Sequence, residues 1–401
     1  MVIMKNATVI DGTGAKPVPS STIILNGNRI ESAGSGIIEP SGAEIVIDLH
    51  GKTVMPGFID AHVHLGGTDG FDYPGIGSRH ETYDFLVSRT NALKWGITTI
   101  RSAGDYSPEI FEFRVEVESG RHISPRIVAS GKMIQAKGGH PISTVFGGNV
   151  AIAENACVLV DENTDLNAEV KALVDAGADW IKTVICEVDK LDYPKRVPRI
   201  PPEKIKRIIE LAHDYGKPCM VHVDNVSQMR EAVLSGADSI EHILSVGSTD
   251  TDIDEDLIEL LVEKQTYVVP TIYSIKAHEN PQGGKPPVYE KLLLQVNKLV
   301  TAGVNVCAGT DASIPLVSLG ESFHEELSEL VKCGMTPLDA IKAATYGNAK
   351  LLRKDKELGA VLPGYMADLV IVDGDPATDI AQTKNILYVI ANGRIVADNA
   401  K

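Results

Sequence analysis

Cysteine is scarce in this chain of 401 residues: Cys157, Cys186, Cys219, Cys307 and Cys333 are the only five, and no Cys-x-x-Cys spacing occurs among them. An odd count without paired spacing excludes a disulfide frame and a thiolate zinc knuckle, and fits reduced thiols in a core. Long apolar runs are missing as well, since no stretch reaches the roughly 20 residues that cross a bilayer. Basic clusters are the third absence. With 38 Lys and Arg against 54 Asp and Glu the formal charge is −16, and nothing gathers cations into a patch that would hold a nucleic acid or an anionic membrane surface. The chain has no Gly-x-Ser-x-Gly elbow and no phosphate-cradling Gly-x-x-x-x-Gly-Lys loop. Its start, Met1-Val2-Ile3-Met4-Lys5-Asn6, lacks the charge, apolar core and cleavage site of an export signal, so a cytoplasmic location is expected.

What remains is a globular composition, with 43% hydrophobic and 23% charged residues, in a chain longer than a single ordinary core supports. One large α/β barrel with an accessory domain, or two domains, is expected. Residues 1–55 alternate short apolar runs with Asn and Gly turns, as at Asn26-Gly27-Asn28, and read as a small β unit. Residues 360–401 repeat that texture: Ala367-Asp368-Leu369-Val370-Ile371-Val372, then 386–390, then the turn Asn392-Gly393 into Arg394-Ile395-Val396. Each end alone is too small to bury a core, so the two are expected to meet in one β domain.

Between them, over 56–359, apolar helix ends run into Gly and then into a buried strand. The pattern occurs at Trp95-Gly96, Ala176-Gly177, Ser235-Gly236 and Ala302-Gly303, with each Gly suited to a left-handed helix C-terminus. Strands are expected at 97–100, 127–128, 180–185, 219–223, 239–244, 267–272 and 304–309, besides the one that ends at His64. Eight parallel strands alternating with helices give a (β/α)₈ TIM barrel, in which active-site groups sit at the C-terminal ends of strands.

The run Val54-Met55-Pro56-Gly57-Phe58-Ile59-Asp60-Ala61-His62-Val63-His64 then becomes informative. In a strand the side-chain period is two, so His62 and His64 face one side while Ile59, Ala61 and Val63 face the other. Polar residues fall at other apolar strand ends too, where burial without a role would be costly: Lys182, His222, His242 and Asp311. Four histidines, a lysine and an aspartate are too many for one tetrahedral ion and suit two adjacent divalent cations, zinc first, with manganese, iron or nickel also acceptable. A protonated lysine cannot ligate. A neutral one can add to carbon dioxide, and the two oxygens of the carbamate could bridge both ions. The residues alone leave other readings open: Lys182 paired with Asp224 or Glu187, His222 and His242 as core histidines, and Asp311 as a helix cap.

The constellation His62-x-His64, Lys182, His222, His242 and Asp311, with Pro56-Gly57-Phe58-Ile59-Asp60, Met335-Thr336-Pro337-Leu338-Asp339-Ala340 and Gly364-x-x-Ala367-Asp368-Leu369-Val370, resembles the amidohydrolase superfamily. The resemblance implies a TIM barrel beside a β-sandwich built from both termini, and a homo-oligomer. Gly177-Ala178-Asp179-Trp180-Ile181-Lys182 and Gly138-Gly139-His140 look like the branch of imidazolonepropionase-related enzymes, Xaa-Pro dipeptidases and carboxypeptidase-like dipeptidases. That branch implies a binuclear centre with an N6-carboxylated Lys182, and a His140 that hydrogen-bonds the substrate carbonyl or carboxylate. Two departures concern the substrate loop: Pro141 follows His140 where glycine is usual, and Thr183-Val184-Ile185-Cys186-Glu187 follows Lys182 in place of a glycine-rich end.

The expected activity is therefore hydrolysis of an amide bond in a small molecule, a dipeptide or N-acyl amino acid, by metal-activated hydroxide, with Asp311 as general base and then general acid. Hydrolysis of a cyclic amide, an imidazolone or an arylurea is the alternative. Deamination is disfavoured by Lys182, and a non-catalytic scaffold by the intact ligand set. Arg101, Tyr273 and His278 lie near strand ends without an assigned role, Cys186 shares a face with Lys182, and His50, His80, His122, His213 and His324 are read as surface or supporting residues.

Overall fold

The computed structural model describes residues 1–37, 42, 45–65, 91–144, 150–188, 194–279, 287–314 and 316–400; His80 lies outside them. Strands β1 (Val2–Val9), β2 (Val18–Asn26), β3 (Arg29–Ser35), β4 (Ile45–Asp48) and β5 (Thr53–Pro56) come first. Ten more follow: β6 (Phe58–Val63), β7 (Ile97–Ser102), β8 (Arg126–Ala129), β9 (Met133–Ala136), β10 (Cys157–Val160), β11 (Ile181–Val184), β12 (Cys219–His222), β13 (Ser239–Glu241), β14 (Tyr267–Val269) and β15 (Asn305–Val306). The chain closes with β16 (Leu369–Val372), β17 (Ile386–Ala391) and β18 (Arg394–Asp398).

The two termini share one eight-stranded sheet in the order β18-β17-β16-β5-β1-β2-β3, with β4 also on β1. The seam between them is antiparallel, Leu369 opposite Pro56 and Val372 opposite Thr53. One face of this sheet packs Met4, Ile23, Leu25, Ile30, Val54, Leu369 and Ile371 into a core of its own. A single residue, Gly57, separates β5 from β6, so the chain leaves the terminal sheet directly into the central α/β unit.

That unit holds two parallel sheets, β6-β7-β8 and β10-β9-β11-β12-β13-β14-β15. Hydrogen bonds join them on both flanks. Asp179 N–H donates to Ala129 O at 2.8 Å ahead of β11, and Asp179 Oδ2 accepts Ala129 N–H at 2.9 Å. On the other flank Ala61 N–H reaches Ala308 O at 3.1 Å, Asp311 N–H reaches His62 O at 2.8 Å and His64 N–H reaches Ala312 O at 2.9 Å. Every residue of β6, β7, β9, β11 and β12 is buried, as expected for strands covered on both faces.

The helix-to-strand punctuation is as the sequence predicts. Gly177 (φ 108°) and Gly236 (φ 96°) end the helices Leu166–Ala176 and Val226–Ser235 in the left-handed region, where a Cβ would be penalised. The expected strand 127–128 is β8, and β9 and β10, which pair with each other in the second sheet, are additional strands. The expected strand 267–272 stops at Val269, because a helix, Ile272–His278, starts there. Among the described residues no helix is long and apolar enough to cross a membrane.

Candidate metal centre

His62 is the last buried polar residue of β6, and His64 lies one residue beyond the strand. Their Nε2 atoms lie 3.5 and 3.3 Å from the same atom, Asp311 Oδ1, and the donor atoms of the three residues fall within 4.8 Å of one another. Asp311 follows β15 by five residues in a left-handed conformation (φ 62°), and its N–H is held by His62 O. Both imidazoles are committed at Nδ1: His62 to Glu241 Oε2 at 2.5 Å and His64 to Gly104 O at 2.7 Å. An acceptor on Nδ1 places the proton there and leaves a lone pair on Nε2. While both rings are neutral, two lone pairs face one carboxylate oxygen; a proton on His64 Nε2 turns that side into a hydrogen bond to Asp311, and Nε2 of His62 has no hydrogen-bond partner. Such an arrangement is repulsive by itself and attractive around a cation, so the donor set fits a divalent metal.

Three further histidines continue from this group as a row of rings in tilted and edge-on contact. His242 lies 4.7 Å from His62 between ring centroids and 4.4 Å from His222, and His222 lies 4.9 Å from His140. His242 Nδ1 is bonded to Thr271 Oγ1 at 2.8 Å, His222 Nε2 to Asp224 Oδ1 at 3.1 Å, and His140 Nδ1 to Thr144 Oγ1 at 2.6 Å. Lys182 is buried in β11, beside Met220 of β12, close enough for its charge to act on His62, Glu241 and Asp311. Of the two carboxylates that the sequence offered to Lys182, Glu187 pairs with Arg196 at 2.7 Å and Arg199 at 3.2 Å, and Asp224 Oδ1 lies 3.1 Å from His222 Nε2.

The electrostatics follow from this crowding. Burial, then the charge of Lys182, pushes His62 down to about 4. Burial also opposes the charged form of His64, but the hydrogen bond and charge of Asp311 outweigh it and hold the imidazole above its usual value. Burial likewise raises Asp311, and the His64 hydrogen bond with the charges of His62, His64 and Lys182 brings it well below the usual carboxylate range.

His62, His64 and Asp311 thus form one group of converging donor atoms, which His242, His222 and His140 extend through ring contacts and on which the charge of Lys182 acts. Tyr273 and His278 bond away from this cluster: the Tyr273 N–H donates to Glu326 Oε2 of the helix Glu321–Lys332 at 2.7 Å, and His278 Nδ1 bonds Ser274 O within its own helix at 2.8 Å. Cys186 packs with Val184 and Val197. His324, read from sequence as a surface or supporting residue, is fully buried where a barrel helix meets the C-terminal segment. Residues of weight that the sequence reading did not single out are Glu241, Asp60 and Asn348. Asp60 accepts Thr310 Oγ1–H at 2.7 Å and Thr310 N–H at 3.1 Å, while Asn348 Nδ2 donates to Ile59 O at 2.6 Å and Ala308 O at 2.8 Å. The available signal was a charged residue inside an apolar strand. For Glu241 it was obscured by His242 beside it, which strand parity assigns to the opposite face. His242 escapes parity by a left-handed backbone (φ 79°), so both residues reach His62.

Residues 53–396 match the profile of the amidohydrolase family. Ochratoxinase from Aspergillus niger is 26% identical over 375 residues, covering 85% of this chain and 75% of that protein. Imidazolonepropionase from Alkaliphilus metalliredigens is 24% identical over 430 residues, 94% of this chain and 90% of that one. Among solved structures, a Xaa-Pro dipeptidase with methionine bound in its active site superposes with a TM-score of 0.82 at 27% identity, over 99% of this chain and all of that one.

Proposed function

The chain belongs to the amidohydrolase family and is a hydrolase acting on C–N bonds, and from that premise we propose that it cleaves the amide bond of a dipeptide or an N-acyl amino acid at a centre of two divalent cations, zinc by ligand chemistry. The observation that carries this reading is the pair of Nε2 atoms, both with Nδ1 committed, converging on Asp311 Oδ1. We read the two parallel sheets, joined on both flanks, as one (β/α)₈ barrel over 56–359, with 1–55 and 360–401 as a β-sandwich domain.

His62, His64 and Asp311 would hold one cation, His222 and His242 the other, and Lys182, carboxylated on Nζ, would reach both. Bound there, the cations supply hydroxide at neutral pH and polarise the scissile carbonyl. Asp311, well below the usual carboxylate range and therefore ionised, accepts the proton of the attacking water and delivers it to the leaving nitrogen. His140, at the far end of the row of rings, donates a hydrogen bond to the substrate carbonyl or carboxylate and fixes its orientation. Carboxylation of Lys182 requires the neutral amine, which loses a proton as its nitrogen bonds to carbon dioxide.

Ring opening of a cyclic amide or imidazolone is the second reading, favoured by likeness to imidazolonepropionase. A mass-spectrometric screen of the zinc-loaded protein against pooled dipeptides, N-acyl amino acids, cyclic amides and arylureas separates the two. Release of a free amino acid supports the first reading, and ring opening alone moves the substrate to the second. No turnover in a protein that holds two metal ions per chain overturns both. Lys182→Ala should lower the bound metal towards one ion per chain, and added bicarbonate should not restore it.

A further inference from the structure

Beneath His62 lies a second charged layer that the hydrolytic reading does not use. Arg101 of β7 and Glu241 of β13 are both fully buried and paired, with Nη2 at 2.9 Å from Oε1 and 3.1 Å from Oε2. Glu241 Oε2 also takes His62 Nδ1 at 2.5 Å, and Oε1 takes the Ser239 hydroxyl. Arg101 is pinned from three further sides: Nε donates to Ala61 O at 2.5 Å, Nη1 to Ser239 Oγ at 3.0 Å, and the guanidinium lies 4.6 Å over the ring of Trp180. The guanidinium therefore touches the backbone just ahead of His62 and the carboxylate on its ring.

Stability does not account for this pair. Two full charges removed from water recover little more than their desolvation cost, and apolar residues of equal volume usually serve a core as well or better. A role in orienting a ligand does account for it. The contrast with His64 points the same way, because its Nδ1 meets only a neutral backbone carbonyl, that of Gly104. A carboxylate on Nδ1 makes the opposite nitrogen the better donor and fixes the tautomer and plane of the ring.

We propose that Arg101 and Glu241 are positioning residues for metal binding at His62: Glu241 keeps the proton on Nδ1 with Nε2 aimed at Asp311, and Arg101 fixes Glu241 and the Ala61 carbonyl together. This rests on His62 being a ligand, as in the functional reading. The experiment measures divalent-ion stoichiometry and affinity by competition with a chromophoric chelator, and records the visible spectrum of the cobalt-loaded protein, for wild type, Glu241→Gln, Arg101→Met and Arg101→Lys. Wild type should bind two ions. Glu241→Gln and Arg101→Met should weaken one of the two by about 10- to 100-fold and change the cobalt spectrum of that ion alone, and Arg101→Lys should recover part of the loss. Ser239→Ala keeps both charges and removes the hydroxyl they share; it should move the same affinity by less, and it serves if the charge variants do not fold. Two ions bound with wild-type affinity and spectrum in every folded variant would overturn the proposal. A wild-type protein that binds no divalent ion would instead overturn the functional reading, and this inference with it.

Discussion

Gly309 sits where the segment that runs from β15 to Asp311 passes the backbone of His62. A Cβ there would lie 2.5 Å from Val269 Cγ1, 3.0 Å from the His62 amide nitrogen and 3.1 Å from His62 Cβ. The first neighbour is a side chain that can shift slightly; the second is backbone in a strand packed on both faces. Gly309→Ala is therefore expected to destabilise by about 1–3 kcal/mol through overpacking. Metal occupancy should fall before the fold does, which metal analysis beside a thermal melt would detect. Asp311→Asn tests the chemistry at the same spot. The amide remains a neutral oxygen ligand and cannot take up a proton, so kcat should fall by about 10²- to 10⁴-fold with at least one ion retained. A kcat close to wild type in metal-replete Asp311→Asn would remove Asp311 from proton transfer. These residues differ in how far sequence exposes them. His62 and His64 are legible because a strand has a period of two, and Lys182, His222 and Asp311 because they are polar at apolar strand ends. Glu241 is not, because its partner Arg101 is 140 residues away and pairing at that separation leaves no local pattern.

Among elements, the short helix Ile272–His278 has the most unusual support. It begins after Thr271 in a left-handed conformation (φ 46°) with no side-chain cap of its own. The missing cap comes from another helix: Glu326 of Glu321–Lys332 accepts the Ile272 N–H at 3.0 Å and the Tyr273 N–H at 2.7 Å, satisfying two donors that open a helix turn. The anchored segment borders the site, with Thr271 Oγ1 on His242 and Ser274 Oγ 3.4 Å from Asp311 Oδ2. Burial pushes Glu326 up to about 8, the two N–H bonds oppose that, and the charges of Glu329 and Asp60 add to it. The native state thus keeps its proton to about pH 8, whereas the unfolded chain releases it near the ordinary 4.5. Between those values the native state binds more protons, so this group's contribution to stability is lost as pH rises, by at most about 1.4 kcal/mol per pH unit. Glu326→Gln cannot ionise and should remove that slope, so its melting temperature should gain on wild type from pH 5 to pH 8. Melting curves that stay parallel across this range would show that Glu326 does not titrate there. Nothing local in the sequence announces such a cap, since it joins residues more than 50 apart, whereas Thr336 with Asp339 forms a capping box that short spacing does reveal.

At the scale of the whole molecule, the terminal sheet and the barrel are fastened where the chain crosses between them. Arg126 of β8 pairs with Asp368 just ahead of β16 at 2.7 Å, and the Gly57 N–H donates to Asp368 O at 2.8 Å. The most enclosed fastening is His324, whose Nδ1 bonds Thr383 Oγ1 at 2.9 Å and whose Nε2 lies 3.1 Å from Trp95 O, with the Phe58 ring edge-on at 5.5 Å. Alternating texture at both ends of the sequence makes the shared terminal sheet legible, but the fastening depends on which barrel helix comes to lie beneath it, and periodicity carries no trace of that. The contact should make the assembly acid-sensitive. Burial pushes His324 down to about 4, with Lys384 adding to the effect and the Trp95 carbonyl and Glu325 opposing it. The unfolded chain protonates this imidazole near the ordinary 6.5, so between about 6.5 and 4 the unfolded state binds more protons and stability falls as pH falls. Glu326, two residues along the same helix, has the opposite slope from 4.5 to 8, so the two contributions partly cancel between about 4.5 and 6.5. His324→Gln keeps a neutral donor and acceptor but has no proton to gain. It should start less stable than wild type at pH 7 because the ring packing is lost, and the gap in melting temperature should narrow steadily towards pH 4.5 by calorimetry. A gap that stays constant over that range would mean that acid does not act on the molecule through this join.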